Sequence, residues 1–214
     1  MASVFSLILI CFEKIMTKNQ KITNFAALIL AAGNSSRMGT SKHALKFDDN
    51  HTFAEKIISQ AFDFGCQKTA IVLNSNDAKN FKSGIPAEKL TLVINPYPEK
   101  GRFYSIKLGL ESLNFAGYVF VINVDNPFFQ TETLFNLSDK IPDFEVAIPV
   151  YQGMRGHPVL LSPDVVRKAI LQTDISLQFR DFLTRFNQVF VEVEDRHILT
   201  NINTPEDYES FCKR

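Results

Sequence analysis

The sequence predicts an α/β protein, a single domain of three layers with a mostly parallel sheet between helices. Three observations carry this. Continuous apolar runs of strand length recur along the chain: AALILA at 26–31, KTAIVL at 68–73 and YVFVINV at 118–124. Runs that are apolar at every position suit strands buried on both faces. Stretches with apolar residues at helical spacing separate them, and such alternation implies crossover connections between parallel strands. The 214 residues contain no Pro/Gly/Ser-rich linker, repeat or low-complexity tract, so one domain is the economical reading.

In chain order, Ala26 to Ala31 is the first strand. Thr52 to Phe64 is predicted helical, with Phe53, Ile57 and Ala61 on one face and Gly65 as its stop. Lys68 to Leu73 and Thr91 to Ile94 read as the second and third strands. Phe103 to Leu113 is a helix, with Ile106, Leu110 and Leu113 at helix spacing. Tyr118 to Val124 is a further buried strand, Thr131 to Lys140 a helix and Glu145 to Val150 a strand. The next segment reads as irregular. Pro163 to Leu171 and Leu177 to Phe186 read as helices, and Gln188 to Val193 as a late strand. Thr204 N-caps the last helix, Pro205 takes its first position, and Glu206 and Asp207 fill its first turn.

Residues 1–24 stand apart as an N-terminal extension, leaving 25–214 as the domain. Val4 to Phe12 is apolar but shorter than the roughly 20 residues that span a bilayer. It has no basic lead-in, and no small-x-small cleavage site follows. Ile10 before Cys11 matches a lipoprotein signal poorly. Met16 opens the polar stretch MTKNQKITN, and translation is expected to start there, with residues 1–15 an artefact of the assigned start. A weak signal-anchor is the alternative, and mass spectrometry of the native N-terminus distinguishes the two.

Composition narrows the function. Hydrophobic residues make up 45% and charged residues 21%, which excludes disordered and fibrous classes. Lys+Arg and Asp+Glu are both 23, so no basic excess points to nucleic acid or an anionic membrane. The 20 Phe and absence of Trp supply core without hydrogen-bonding handles. Cys11, Cys66 and Cys212 form no CxxC pair, and the four histidines no HExxH spacing. The cysteines read as thiols in a reducing cytoplasm.

In open α/β sheets, ligands bind outside the carboxyl ends of the strands. The loops after Ala31, Ile94, Val124 and Val150 are therefore where chemistry is expected. The first runs Ala31-Ala32-Gly33-Asn34-Ser35-Ser36-Arg37-Met38-Gly39-Thr40-Ser41-Lys42. Its small residues let a ligand approach the main chain, Ser35 and Ser36 add hydroxyls, and exposed N–H groups can cradle an anion. Arg37 and Lys42 add two cations suited to a triphosphate losing pyrophosphate. GxGxxG fails because the glycines are Gly33 and Gly39 only, and GxxxxGK[ST] fails because Lys42 lies three past the second. Both failures demote a nicotinamide oxidoreductase and a P-loop NTPase.

Leu30 to Lys42 resembles the signature L-A-A-G-x-S-x-R-M-G-x-x-K of MobA-like nucleotidyltransferases. These include molybdenum-cofactor guanylyl- and cytidylyltransferases and, more distantly, sugar-nucleotide pyrophosphorylases. Later segments extend the resemblance in the same order. Asn95-Pro96, Gly101, Ser105-Ile106 and Gly109-Leu110 look like the segment that faces base and ribose. Val124-Asp125-Asn126-Pro127 looks like the [LV]-D-x-P motif, whose Asp holds Mg²⁺ on nucleotide phosphates. Arg155-Gly156-His157-Pro158 is similar to the acceptor-side segment, especially of the cytidylyltransferase branch. His157 there positions substrate or loop, because a phosphate acceptor needs no base. Asn201-Ile202-Asn203-Thr204-Pro205-Glu206-Asp207 matches the [DN]-[IV]-[DN]-T-P-E-[DE] ending; its two amides are weaker metal ligands than carboxylates.

The resemblance covers 26–210 and implies a Rossmann-like, GT-A-like three-layer fold. It implies transfer of a nucleoside monophosphate from an NTP, CTP favoured and GTP the alternative, to a phosphate-bearing molecule such as molybdopterin. Arg37, Lys42 and Asp125 would be catalytic, and Asp125, more weakly Asn201 and Asn203, would hold Mg²⁺. Leu30, Ala31, Ala32, Gly33, Ser35, Ser36, Asn95, Gly101 and Ser105 would bind the nucleotide. A non-catalytic nucleotide-binding relative and, less favoured, a Rossmann-type oxidoreductase are the rival readings.

Overall fold

The computed structural model describes residues 24–33, 38–174 and 176–212. Its centre is β1 (Phe25–Ala31), paired in parallel with β2 (Lys68–Asn74) and β4 (Tyr118–Asn123). Leu28 stands opposite Ala70 on one side and Val121 on the other. β3 (Leu90–Asn95) extends the parallel half at β2. Beyond β4 the sheet changes sense. β7 (Val159–Leu161) runs antiparallel to both β4 and β5 (Val146–Tyr151). β6 (Met154–Arg155) makes a hairpin with β5, and β8 (Gln188–Glu192) pairs with β5 in parallel. The strand order is β3-β2-β1-β4-β7-β5-β6, with β8 also on β5.

β1 is apolar throughout because successive side chains leave opposite faces of the sheet and both faces are covered. Phe25, Ala27, Ile29 and Ala31 enter one core with Phe53, Ile57 and Ala61 of α1 (Phe53–Phe64). Ala26 and Leu28 enter the other with Ile106, Leu110 and Leu113 of α3 (Arg102–Leu113), the second helix being the short α2 (Ser75–Asn80). The abundant phenylalanines divide likewise: Phe25, Phe64 and Phe120 meet on the first face, and Phe103, Phe179 and Phe182 on the second.

Two helices are placed by local chemistry that bears on the site. Thr52 and Glu55 form a reciprocal capping box at α1: Glu55 N donates to Thr52 Oγ1 at 3.3 Å, and Thr52 N to Glu55 Oε2 at 2.7 Å. α3 lies close on β1 because Gly109 has no side chain; a Cβ there would sit 2.2 Å from Leu28 Cδ1. This contact fixes the depth at which the start of α3 meets the strand ends.

The remaining helices are α4 (Thr131–Ser138), α5 (Pro163–Leu171), α6 (Phe179–Leu183) and α7 (Pro205–Cys212). Expected and observed elements agree in type and order, with three differences. α2 was not expected: SNDAKN has no apolar periodicity, and the Asn74 side chain starts the helix by accepting from Asn76 N and Asp77 N. The expected irregular segment contains β6 and β7, each too short to carry a period. The Leu177 to Phe186 helix contracts to α6. Among the described residues no helix is long and apolar enough to cross a membrane, and Cys66 and Cys212 are free thiols. Burial pushes the Cys66 thiol up to about 12. The reading of residues 1–23, including Cys11 and the start at Met16, lies outside the described residues.

Candidate active site

The carboxyl ends of β1 and β4 open onto a cavity of about 380 Å³. Leu30, Ala31, Ala32 and Gly33 line it from β1 and its loop, and Asn123, Val124 and Asp125 from β4. Val124 N donates to Leu30 O at 3.1 Å, so the two strands stay paired to the cavity's edge. Gly101, Arg102 and Ser105 line it from the start of α3. Gly101 carries φ +90°, a conformation that favours glycine, and turns the chain into the helix.

Lys42 enters from the face covered by α1, on a single 3-10 turn over Lys42–Ala44. Its Nζ lies 3.3 Å from Asp125 Oδ2 and donates to Asn203 Oδ1 at 2.8 Å. The flanking residues anchor that turn. Ser41 Oγ donates to Asp77 Oδ1 of α2, and His43 Nδ1 lies 4.0 Å from Asp77 Oδ2. Asp77 is itself buried and receives Asn74 Nδ2 at 2.8 Å. Burial lowers the His43 pKa, and the Asp77 charge opposes that shift.

Asp125 is tied at its main chain, where Ile202 N donates to its carbonyl at 2.9 Å. This lays the 201–203 segment across the end of β4. The second carboxylate oxygen, Oδ1, is buried and has no hydrogen-bond partner among the described residues. A carboxylate oxygen withdrawn from water and left unpaired fits a hard cation. Ser105, also buried, accepts at its Oγ from Asn95 Nδ2 at 2.9 Å.

A model of the MobA-like NTP transferase domain matches residues 27–189. The chain belongs to the MobA-like NTP transferase family. It is similar to the molybdenum cofactor cytidylyltransferase of Escherichia coli K12, 26% identical over 187 residues that cover 87% of this chain and 95% of that protein. A probable molybdenum cofactor guanylyltransferase of Clostridium perfringens SM101 is 28% identical over 204 residues, covering 88% of this chain and 96% of the relative. Among solved structures, Rv0371c of Mycobacterium tuberculosis H37Rv in complex with manganese superposes with a TM-score of 0.67 at 18% identity, covering 90% of this chain and 100% of that one. The oxidoreductase reading falls with the family match, and the mostly parallel α/β fold is one the chain shares with a solved nucleotidyl transferase of Methanothermobacter, at a TM-score of 0.69.

The cavity brings together eight of the eighteen residues singled out from the sequence. Leu30 to Gly33, Lys42, Gly101, Ser105 and Asp125 line one cavity. Ser35, Ser36 and Arg37 lie outside the described residues. Asn95 does not line the cavity: it is fully buried behind Ser105, with its Oδ1 taken by Tyr97 N at 2.8 Å. Arg155 is exposed on β6, its guanidinium 4.1 Å from the Phe190 ring centroid. Asn203 reaches the site through Lys42. Asn201 lines a separate cavity with Phe47, Phe128 and Phe211. Gly156 and His157 donate main-chain N–H groups to Pro149 O and Ile198 O, and His157-Pro158 is cis. Burial, reinforced by the Arg102 charge, lowers His157 to about 4, so its ring is neutral at pH 7.

Two residues tied to the cavity are specified by no motif in the sequence: Asp77, which anchors the turn that carries Lys42, and Arg102, which lines the cavity. Asn74 three positions before Asp77 is a helix-start signal that could have exposed the first. Arg102 follows Gly101 directly in the quoted motif, and its charge was the available clue.

Proposed function

We propose that this protein transfers a nucleoside monophosphate from an NTP to a phosphate-bearing small molecule and releases pyrophosphate. The observation that carries the reading is the Lys42–Asp125 pair, set at the carboxyl ends of β1 and β4 beside the main chain of residues 31–33. A phosphate oxygen of the acceptor attacks the α-phosphorus in line. The new P–O bond forms as the bond to the β-phosphate oxygen breaks, and pyrophosphate carries away the electron pair. The protein supplies position and charge and no covalent nucleophile.

Lys42 stabilises charge that builds on the α-phosphate and the leaving group. Its contact with Asn203 and the Asp77 anchor beneath it hold the ammonium in place before substrate arrives. Ser105 faces the nucleoside, with Asn95 fixing its hydroxyl. Arg37, catalytic by the resemblance, would add a further cation. Asp125 would hold Mg²⁺ through the unpaired Oδ1, and the ion, when bound, neutralises phosphate oxygens.

CTP is the favoured nucleotide and molybdopterin the favoured acceptor. The support is the Leu30-Ala31-Ala32-Gly33 and Gly156-His157-Pro158 segments, together with the likeness to the Escherichia coli enzyme. GTP is the alternative, supported by the Asn201 and Asn203 ending and the clostridial relative. A cytoplasmic site of action goes with either. One second reading has an observation of its own. Asp125 is the single carboxylate among the described residues lining the cavity, which suits a relative that binds nucleotide without turnover. Pyrophosphate release measured with CTP, GTP, ATP and UTP, Mg²⁺ and molybdopterin separates these readings. Release with CTP above the other three supports the proposal; nucleotide binding without release supports the non-catalytic relative.

A further inference from the structure

Arg102 takes no part in the contacts that hold Lys42 and Asp125, yet it lines the same cavity. We propose that its guanidinium binds the phosphate of the acceptor, the group that attacks the α-phosphorus. This assignment rests on the nucleotidyl-transfer reading and gives that reaction a second anion site.

Three observations lead to it. First, Arg102 is exposed, lines the cavity and makes no hydrogen bond or ion pair among the described residues. Its neighbours are the Phe179 ring, whose centroid is 5.9 Å from Cζ, and the charge of Asp125, felt beyond pairing distance. A guanidinium that opens on the cavity with its donors unpaired by the described residues can meet an anion there, and its fork matches a phosphate. Second, Arg102 is the first residue of the twelve-residue α3, whose N-cap Gly101 offers no side-chain cap. The first N–H groups of that helix add to the same positive ground.

Third, the two cations that line the cavity among the described residues come from opposite faces of the sheet. Lys42 rides on the α1 side and Arg102 on the α3 side, with Asp125 at the strand end between them. In-line displacement puts the leaving pyrophosphate and the attacking phosphate on opposite sides of the α-phosphorus. Lys42 adjoins the loop after β1 and takes the leaving side, which leaves Arg102 for the incoming phosphate. Arg102 also acts electrostatically on His157, in the segment whose resemblance is to the acceptor side.

The test is calorimetric titration of phenyl phosphate into protein loaded with Mg²⁺ and the α,β-methylene analogue of CTP or GTP. Wild type, Arg102→Met and Arg102→Lys are compared. Wild type is expected to bind phenyl phosphate. Arg102→Met should weaken that binding roughly 30-fold, the worth of a bidentate charge-assisted contact, with Arg102→Lys in between. Affinity for the nucleotide analogue should stay within about threefold in both variants, the change left when a direct charged contact is not involved. Unchanged phenyl phosphate binding in Arg102→Met, no binding by wild type, or a loss of nucleotide affinity instead would each overturn the assignment. A wild type that binds phenyl phosphate through Arg102 yet releases no pyrophosphate with any NTP refutes the transfer reading and leaves the anion site standing.

Discussion

Replacing His157 with Gln should flatten the acid side of the stability profile. The histidine is held at about 4 in the folded state against 6.5 for the free side chain, chiefly by burial and then by the Arg102 charge. Between those values the unfolded chain binds a proton that the folded chain refuses. Stability therefore rises with pH through this window and is lost as pH falls from 6.5 towards 4. The full shift corresponds to about 3 kcal/mol, of which about 2 kcal/mol is lost between pH 7.5 and pH 5. With a urea slope of about 2 kcal/mol per molar, the wild-type midpoint should drop by about 1 M more than that of His157→Gln over the same interval. Urea unfolding at the two pH values, followed by far-UV circular dichroism, measures it. Equal drops in the two proteins, or an NMR titration of His157 with a midpoint near 6.5, would refute the burial argument.

Other substitutions test the site from different directions. Lys42→Met and Asp125→Asn should each keep the fold and cost at least ~100-fold in turnover, the loss seen when one transition-state donor is removed; steady-state kinetics beside circular dichroism checks both. Asp77→Asn touches neither substrate nor metal but loosens Ser41 and the turn that carries Lys42. It should lower kcat by roughly 10- to 100-fold through misplacement, and a kcat unchanged within error would remove Asp77 from the account. Thr52→Ala breaks the capping box of α1 and should cost about 1 kcal/mol of stability by urea unfolding, with turnover unaltered.

How much of this was written visibly in the sequence depends on which physical signal each residue carries. β1, β2 and β4 could be read because burial on both faces demands apolar residues at every position, a pattern that few other contexts impose. α1 could be read from Phe53, Ile57 and Ala61 on one face and Gly65 as its stop, and α7 from Thr204 as its N-cap, which the structure bears out. Lys42 and Asp125 were legible as members of motifs at strand ends, and the fold brings them to 3.3 Å across 83 positions of chain. Asp77 was hidden because α2 is polar and held by side-chain caps, so no periodicity marks it. Asn95 was given a ligand's role because its motif faces one, whereas its amide is consumed inside the protein by Ser105 and Tyr97. Asn201 and Asn203 sit two positions apart in an extended segment, where alternate residues share a side only while the strand is regular. Here Asn203 accepts from Lys42 while Asn201 lines a separate cavity.

The zero net charge of the chain likewise says little about its ligand. Among the described residues lining the cavity, Lys42 and Arg102 face a single carboxylate, Asp125, so their balance is positive although the global sum is zero. That suits a small polyanion.

The most direct test is transfer of label from α-³²P-CTP to molybdopterin with Mg²⁺, scored beside pyrophosphate. The expected result is one pyrophosphate released per labelled acceptor, with both signals falling together by at least ~100-fold in Lys42→Met. Folded wild-type protein that labels no acceptor and releases no pyrophosphate with any of the four NTPs would contradict the account, as would full activity in Lys42→Met.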